Sequence, residues 1–291
     1  MWKVVKELTK IRLVYFVLIT ASCGYFLGLE VEQVFSFYHY FLFLLSLALF
    51  TMGSFALNEA QEAELDKKMP RTASRPIPSG SMKKSTAFWI AWALMLFATI
   101  VFATLSEPLV YLGWFTVFCY NFLYTKLWKP KWIFAAVPGA IPGAMPVVMG
   151  YAAIKPDFLT QEIVYLFLIM FLWQMPHFWS LAIRYKEDYA KGDIPVLPAI
   201  LGNHTTIYHM GLYLFVYIAL ALSAPFFLHV HTMYYVLILP FSVVVLWQFY
   251  KYQKSVGEKN WLRFFLWVNF SMLAFLLAPV LEKWKLILFR Q

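Results

Sequence analysis

The chain has 291 residues, of which 62% are hydrophobic, 20% aromatic and only 13% charged, with a net charge of +9. A soluble domain is nearer half apolar and a quarter charged, so this composition excludes an ordinary soluble globule and indicates a surface that faces lipid. The basic excess lies in short loops between apolar stretches, which is a pattern typical of membrane orientation rather than of nucleic-acid binding.

Nine apolar stretches are long enough, or nearly so, to cross about 30 Å of hydrocarbon as helices. They cover approximately residues 12–29, 36–57, 85–104, 109–127, 133–153, 162–183, 206–228, 232–250 and 261–281. These stretches are too long and continuous for the strands of a barrel. The sequence therefore predicts one all-α domain over residues 1–291, a polytopic membrane bundle of about nine transmembrane helices. We interpret the first stretch as a retained span and not as a signal peptide.

The loops alternate in charge along the chain. Nineteen of the 24 Lys and Arg residues lie in the N-terminal segment and in the loops after the second, fourth, sixth and eighth spans. The positive-inside rule then predicts an integral protein of a bacterial-type cell membrane, with its N-terminus and these loops in the cytoplasm. Lys283, Lys285 and Arg290 disagree, because an odd number of spans leaves the C-terminal end outside, but they are outnumbered.

The first long loop, residues 58–84, opens with acidic residues and continues with arginines. Asn58, Glu62 and Asp66 are spaced by four, so in a continued helix their side chains lie along one face. Oxygen donors of this kind suit Mg²⁺, which binds through a few carboxylates together with substrate phosphate. The planar guanidinium groups of two following arginines match phosphate oxygens. Taken alone, the segment fits equally well a solvated acidic helix end that its basic neighbours neutralise.

The fifth predicted span is unusually rich in proline and glycine between residues 138 and 150. Such a helix either breaks around a cavity or is only a kinked packing helix, and the sequence favours neither. A broken span also raises the hypothesis of a transporter. A transporter would be expected to hold ionisable groups at the bilayer midplane, whereas here they collect at one membrane face.

The second long loop, residues 184–205, carries another acidic cluster with Glu187, Asp188 and Asp193. Acidic residues beside apolar spans are costly unless they pair or bind ions. Two such patches at one membrane depth can hold a diphosphate through Mg²⁺, and an isoprenoid diphosphate combines that anionic head with an apolar tail. The metal would favour departure of the diphosphate, and aromatic faces would stabilise the resulting carbocation. The two loops together predict a prenyl-transferring enzyme.

Both loops resemble signatures of the UbiA superfamily of intramembrane prenyltransferases. The first signature is matched by Asn58, Glu62, Asp66, Met69, Arg71, Thr72, Arg75 and Pro76. The second is matched from Trp173 to Pro198, where Pro176-His177-Phe178 is similar to the branch that acts on heme. The resemblance covers residues 8–202 and includes Leu8-Thr9-Lys10. Glu62 stands where the superfamily usually has Asp, and Asp193 where the heme branch usually has Gly.

The resemblance implies transfer of a farnesyl group from farnesyl diphosphate to a vinyl group of heme B, with water completing the side chain of heme O. It implies Mg²⁺ as the cofactor, heme B as a substrate and a downstream heme A synthase as a partner. The alternative is a relative that acts on a quinone or lipid precursor and shares the diphosphate site.

The resemblance also assigns roles by position. Metal and diphosphate would be held by Asn58, Glu62, Asp66 and Asp188. Phosphate or propionate oxygens would be bound by Arg71, Arg75, Lys129 and Lys186. Tyr124 and Tyr185 would flank the developing cation. His177 either contacts heme or hydrogen-bonds a neighbouring helix, and we favour a role in the substrate cavity.

Overall fold

The structure, a computed structural model, describes residues 2–30 and 32–288, and these contain helices and no strand. In chain order the helices are α1 (Trp2–Leu8), α2 (Ile11–Gly28), α3 (Phe37–Lys68), α4 (Lys84–Leu105), α5 (Glu107–Val117), a π-helix (Phe118–Trp128), α6 (Ala136–Ala152), α7 (Gln161–Arg184), α8 (Lys186–Lys191), α9 (Leu197–Ile200), α10 (Gly202–Leu222), a 3₁₀ turn (Ala224–Phe226), α11 (Thr232–Lys254) and α12 (Trp261–Leu288).

The all-α membrane fold is confirmed, but the number of spans is not. Within the described ranges, seven helices are long and apolar enough to cross a membrane: α2, α3, α4, α7, α10, α11 and α12. Of the other two predicted spans, α6 has 17 residues, and residues 109–127 divide between α5 and the π-helix, which have 11 residues each. Hydropathy reports composition and not hydrogen-bond register, so the sequence could not show this division.

Glycines let neighbouring helices approach until their backbones touch. A Cβ on Gly24 of α2 would lie 1.9 Å from the carbonyl oxygen of Val147, and a Cβ on Gly150 of α6 would lie 1.8 Å from that of Ala21. In a bilayer, apolar side chains gain little by exchanging contacts with lipid for contacts with another helix. Helix pairs are instead stabilised by close van der Waals contact between small residues. The α2–α6 pair therefore depends on these two glycines.

The proline-rich α6 is continuous. It runs unbroken through Pro142 and Pro146, and Gly143 makes room for the side chain of Gln174 on α7, whose Nε2 donates to the carbonyl oxygen of Ala140 at 2.9 Å. The structure therefore favours the packing helix over the broken one. The feature that suggested a transporter is absent from this part of the chain.

The bundle closes where its first and last long helices meet. Lys283 and Trp284 of α12 donate to the carbonyl oxygens of Leu27 and Phe26 at 2.6 and 3.0 Å. Between these two helices α7 contacts α6, α10 and α12. The polar loops that follow α3 and α7 lie together at the opposite end of the bundle from these contacts.

Candidate active site at the ends of α3 and α7

The first acidic segment is helical and buried. α3 continues to Lys68, well beyond the predicted end of the second span. Asn58, Glu62 and Asp66 consequently lie one turn apart on one face, and their exposed fractions are 2%, 6% and 1%. Carboxylates buried to this extent need a partner, so the segment is not a solvated acidic helix end.

Both of these carboxylates are paired with basic side chains from outside α3. Arg75 donates from Nη1 to Oδ2 of Asp66 at 2.6 Å, and Lys129 donates from Nζ to Oε1 of Glu62 at 2.5 Å. The two basic side chains are only 25% and 17% exposed, so water screens the pairs weakly. Burial opposes the charge of Lys129, but the nearby Glu62, Tyr124 and Tyr189 together outweigh burial, so the pKa of Lys129 is raised.

A third basic group, Lys10, also reaches this site. It directly precedes α2 with a left-handed backbone (φ 48°), and its Nζ donates to Oδ1 of Asn58 at 2.8 Å. Burial lowers the pKa of Lys10 to about 8, and the nearby Arg75 adds to this shift. Lys10 belongs to a matched tripeptide of the sequence but was not predicted to lie in the site. Its position on the same membrane side as the acidic loops was the signal available.

The π-helix presents a polar face to α3. The amide nitrogen of Asn58 donates to Oγ1 of Thr125 at 3.1 Å, and Oγ of Ser54 donates to Oδ1 of Asn121 at 2.7 Å. Thr125 is 8% exposed and Asn121 is fully buried. The hydrogen bond to Thr125 holds the amide group of Asn58 in place. Neither Asn121 nor Thr125 was predicted, because a single polar residue within an apolar span is more often a packing residue than a site residue.

The wide winding of the π-helix also places Lys129. The backbone N–H of Lys129 donates to the carbonyl oxygen of Tyr124, five residues earlier, at 2.9 Å. The ring of Tyr124 packs so close to Gly139 of α6 that a Cβ there would lie 2.6 Å from a ring carbon. π-turns are frequent at functional sites, and this one sets the distance from Lys129 to α3.

The loop after α3 folds back over the end of its own helix. Oγ1 of Thr72 donates to the carbonyl oxygen of Asp66 at 3.0 Å, and the N–H of Ile77 donates to Oε1 of the buried Glu59 at 3.4 Å. This reversal returns Arg75 to a position beside Asp66.

The two long loops meet through Arg71. Its guanidinium carbon lies 5.3 Å from the centre of the Tyr185 ring and 5.9 Å from that of Tyr189, distances at which a cation is attracted to an aromatic face. Arg71 and Arg75 therefore point to different partners, although they lie only four residues apart. Arg75 contacts the carboxylate site, whereas Arg71 contacts the second loop.

Asp193 makes a second contact between the loops. Its φ of 54° lies in the left-handed region that favours glycine, which accounts for the Gly usual in the heme branch. Its Oδ2 accepts from Nζ of Lys68 at 2.8 Å, and the two side chains are 77% and 54% exposed. This carboxylate therefore belongs to a solvent-exposed ion pair on a turn.

Asp188 lies in α8 and is half-buried, and Lys186 in the same helix is exposed. Over the described ranges, no group of three or more His, Cys, Asp and Glu side chains is arranged to hold a metal ion. The predicted ligands thus lie on two helices, α3 and α8, which are linked through the contact of Arg71 with Tyr185 and Tyr189, and the described residues form no closed metal site there.

The donor set on α3 nevertheless fits Mg²⁺. An amide oxygen and two carboxylates on successive turns are hard oxygen ligands, and the hydrogen bonds to Arg75 and Lys129 each use one oxygen of a carboxylate. The second oxygen of each carboxylate is left for a metal. A diphosphate that arrived with the metal would offer its own oxygens to the same two basic groups.

A cavity of about 180 Å³ lies beside Lys129, between the π-helix, α7 and residues 194–197. Its aromatic lining comes from Tyr124, Trp132, Phe178, Trp179 and Tyr189. Tyr124 thus lines the cavity, whereas Tyr185 lies against Arg71. Ligand pockets usually begin near 300 Å³, so substrate entry requires the surrounding side chains to move.

His177 faces α12. Its ring centre lies 4.7 Å from that of Trp173 and 4.9 Å from that of Phe265, and it hydrogen-bonds the side chain of Asn269. Its Nδ1 is buried without a hydrogen-bond partner among the described residues. The contact with a neighbouring helix is thus present, and His177 is not among the residues that line the cavity.

Comparisons with known proteins show what this chain is similar to. The sequence model described as the UbiA prenyltransferase family matches residues 17–270. A protein of Bdellovibrio bacteriovorus named "Protoheme IX farnesyltransferase" is 47% identical over 285 residues, which cover 98% of each chain. A protein of Aquifex aeolicus with the same name is 36% identical over 211 residues, which cover 70% of each chain.

Solved structures share the fold. A structure described as digeranylgeranylglyceryl phosphate synthase superposes with a TM-score of 0.78 at 16% identity, covering 98% of this chain and 99% of that one. A UbiA homolog from Archaeoglobus fulgidus bound to GPP and Mg²⁺ superposes with a TM-score of 0.66, also at 16% identity, over 94% of this chain and 99% of that one.

Proposed function

Because the chain belongs to the UbiA prenyltransferase family, we propose that it transfers a farnesyl group from farnesyl diphosphate to a vinyl group of heme B, giving heme O and diphosphate. The observation that carries this proposal is the 47% identity, over nearly the full length of both chains, to a protein named for that activity. The site at the end of α3 supports it, because it combines buried carboxylates with basic groups beside an aromatic cavity.

The diphosphate would bind at the α3 carboxylates with Mg²⁺. Bound Mg²⁺ would neutralise the leaving diphosphate, and the residues that would hold it are Asn58, Glu62, Asp66 and Asp188. A family member from Archaeoglobus fulgidus binds GPP and Mg²⁺, which supports this choice of metal. The half-buried Asp188 of α8 would complete the site.

The basic side chains of the site would bind the oxygens of the diphosphate. Lys129 and Arg75 lie at the α3 carboxylates, and Lys10 lies one turn away at Asn58. Phosphate oxygens form strong charge-assisted hydrogen bonds with such groups. The same groups would stabilise the charge that develops on the diphosphate as its bond to the farnesyl carbon breaks. Arg71 and Lys186, which lie on the second-loop side, remain candidates for the heme propionates.

The farnesyl carbon that loses diphosphate becomes an allylic cation, and the terminal vinyl carbon of heme B then forms a bond to it. The positive charge passes to the heme side chain, where a water oxygen adds and releases a proton. Tyr124 lines the cavity and Tyr185 lies against Arg71, and their ring faces would stabilise the cation. Exclusion of other water from the site would protect the cation from earlier capture.

We also propose that the site opens to the cytoplasm. Lys10, Arg75 and Lys129 all lie at the end of the bundle that carries most of the basic residues, in agreement with the positive-inside rule. The product would pass to a heme A synthase in the same membrane.

A titration of the purified full-length protein with heme B tests the acceptor. We expect saturable binding, and with farnesyl diphosphate and Mg²⁺ we expect heme O as the product, identified by its mass. Asp66→Asn serves as the inactive control, since it should still bind heme. If the protein does not bind heme and instead prenylates a phenolic or glycerol-phosphate acceptor, it belongs to another branch of the family and the heme proposal is wrong.

A further inference from the structure

A second basic site lies between α11 and α12. The connecting loop, residues 255–260, and the end of α11 form a surface pocket of about 570 Å³. The loop is anchored by Asn203, whose Nδ2 donates to the carbonyl oxygen of Val256 at 3.3 Å, and by Trp261, whose Nε1 donates to that of Ser180 at 3.0 Å. Ser180 lies near the end of α7, so this pocket is at the same end of the bundle as the carboxylate site.

The pocket is strongly basic. It is lined by Lys251, Lys254 and Lys259, with Glu258 as the single acidic side chain, which leaves an excess of two positive charges. Lysines at the end of a helix often serve only to neutralise its negative pole. Here α11 ends and α12 begins at the same pocket, so the half-charges of about −0.5 and +0.5 at the two helix ends cancel. The excess from the lysines is therefore available to an anion.

The loop of the pocket is held in shape by hydrogen bonds within it and by its backbone conformation. Oγ of Ser255 accepts from the N–H of Lys259 at 3.2 Å and donates to the carbonyl oxygen of the same residue at 2.9 Å. Val256, Gly257 and Asn260 all have positive φ values, of 52°, 81° and 62°. Left-handed backbone conformations cost free energy and persist only where surrounding contacts hold them in place. This loop therefore has a fixed conformation and is not a flexible linker.

Exposed aromatic and leucine side chains beside the lysines form the rim of the pocket. Trp247 and Tyr250 of α11 and Leu262 of α12 are 52%, 45% and 57% exposed. Nζ of Lys251 lies 4.8 Å from the centre of the Trp247 ring, and Nζ of Lys254 lies 4.6 Å from that of Tyr250. Exposed Trp and Tyr at a helix end mark the level of the lipid headgroups.

We propose that this pocket binds the phosphate of an anionic phospholipid headgroup. The lysines supply the charge, and the aromatic and leucine side chains of the rim contact the acyl chains. A free phosphate would use the lysines but would gain nothing from that apolar rim. Each lysine near an anionic lipid is worth about a fivefold change in affinity, so all three together correspond to roughly a hundredfold.

Native mass spectrometry of the full-length protein in detergent tests the proposal directly. The probes are phosphatidylglycerol and phosphatidylcholine, titrated separately, with inorganic phosphate as a competitor. We expect phosphatidylglycerol to bind with an affinity that falls by roughly a hundredfold in the triple variant Lys251→Gln/Lys254→Gln/Lys259→Gln. Binding needs no turnover, so the result is independent of the proposed reaction.

The matched control removes the same charge elsewhere at this end of the bundle. Lys83→Gln/Lys84→Gln/Lys131→Gln changes three exposed lysines outside the pocket and should leave the affinity within about twofold of the unmodified protein. Equal losses in the two triple variants would show a diffuse surface-charge effect and overturn the site. Equal affinity for both lipids, or displacement of phosphatidylglycerol by millimolar phosphate, would overturn the lipid headgroup as its ligand.

Discussion

The ion pair between Arg75 and Asp66 gives the sharpest test of the proposed metal site. Asp66 is 1% exposed, so Arg75→Gln leaves a buried carboxylate without its cation. Removing one partner of a fully buried pair costs about 3–5 kcal/mol. Because Arg75 is 25% exposed and Lys10 also interacts with Asp66, we expect a smaller loss than for a fully buried pair, about 2–3 kcal/mol. At about 2–4 °C per kcal/mol, the apparent Tm should fall by about 5–10 °C.

The assay is thermal unfolding of the purified full-length protein in EDTA. Cys23 and Cys119 are buried free thiols, so a thiol-reactive dye reports unfolding. Lys68→Gln is the matched control, because it breaks an ion pair whose side chains are 54% and 77% exposed, and such pairs contribute less than about 1 kcal/mol. The double variant Arg75→Gln/Asp66→Asn should regain most of the lost stability, since it leaves no unpaired charge.

The change in Tm on addition of Mg²⁺ connects this stability test to the proposed metal site. Added to Arg75→Gln, Mg²⁺ should raise the Tm by more than it raises that of the unmodified protein, because the metal replaces the missing cation at Asp66. The reasoning is refuted if Arg75→Gln and Lys68→Gln shift the Tm equally, or if the double variant is no more stable than Arg75→Gln alone.

Three further results are expected. Product formation should stop in EDTA and return with Mg²⁺, and activity that survives thorough metal removal would contradict the proposed mechanism. Asp188→Asn should abolish turnover but leave the Tm unchanged within about 1 °C, since this half-buried residue lies on a short helix; normal turnover would remove Asp188 from the metal site. Burial lowers the pKa of Lys10 from 10.5 to about 8, so between these pH values the unfolded chain binds more protons and stability rises with pH. In EDTA, the Tm of the unmodified protein minus that of Lys10→Met should therefore increase from pH 8 to pH 10, and a constant difference would show that Lys10 is not buried as described.

Patterns along the chain predicted the parts of the site that lie on one helix. The spacing of Asn58, Glu62 and Asp66 by four residues implies a shared face as soon as the segment is helical, and α3 meets that condition. The extension of α3 beyond the apolar span was the uncertain step. The apolar stretch ends where the charged residues begin. The helix continues beyond it because its charged side chains find partners inside the protein.

The partners themselves were beyond prediction. Arg71 and Arg75 have the same type of side chain and similar neighbours in sequence, yet one contacts aromatic rings and the other a buried carboxylate. Lys10 is separated from Asn58 by 48 positions, and His177 faces α12 although its motif continues into residues that line the cavity. Which side of a helix meets which neighbour depends on the packing of the whole bundle.

The amino-acid sequence by itself determined that this protein lies in a membrane as helices and that two acidic segments occur at one membrane face. Both follow from composition and from spacing along the chain, which are local properties. Only the tertiary structure decided that α6 is unbroken, that the fourth predicted span divides into an α-helix and a π-helix, and which basic group pairs with each carboxylate. Those outcomes depend on close contacts between helices that are distant in sequence, because a buried charge or an irregular turn is stable only where another helix supplies its partner.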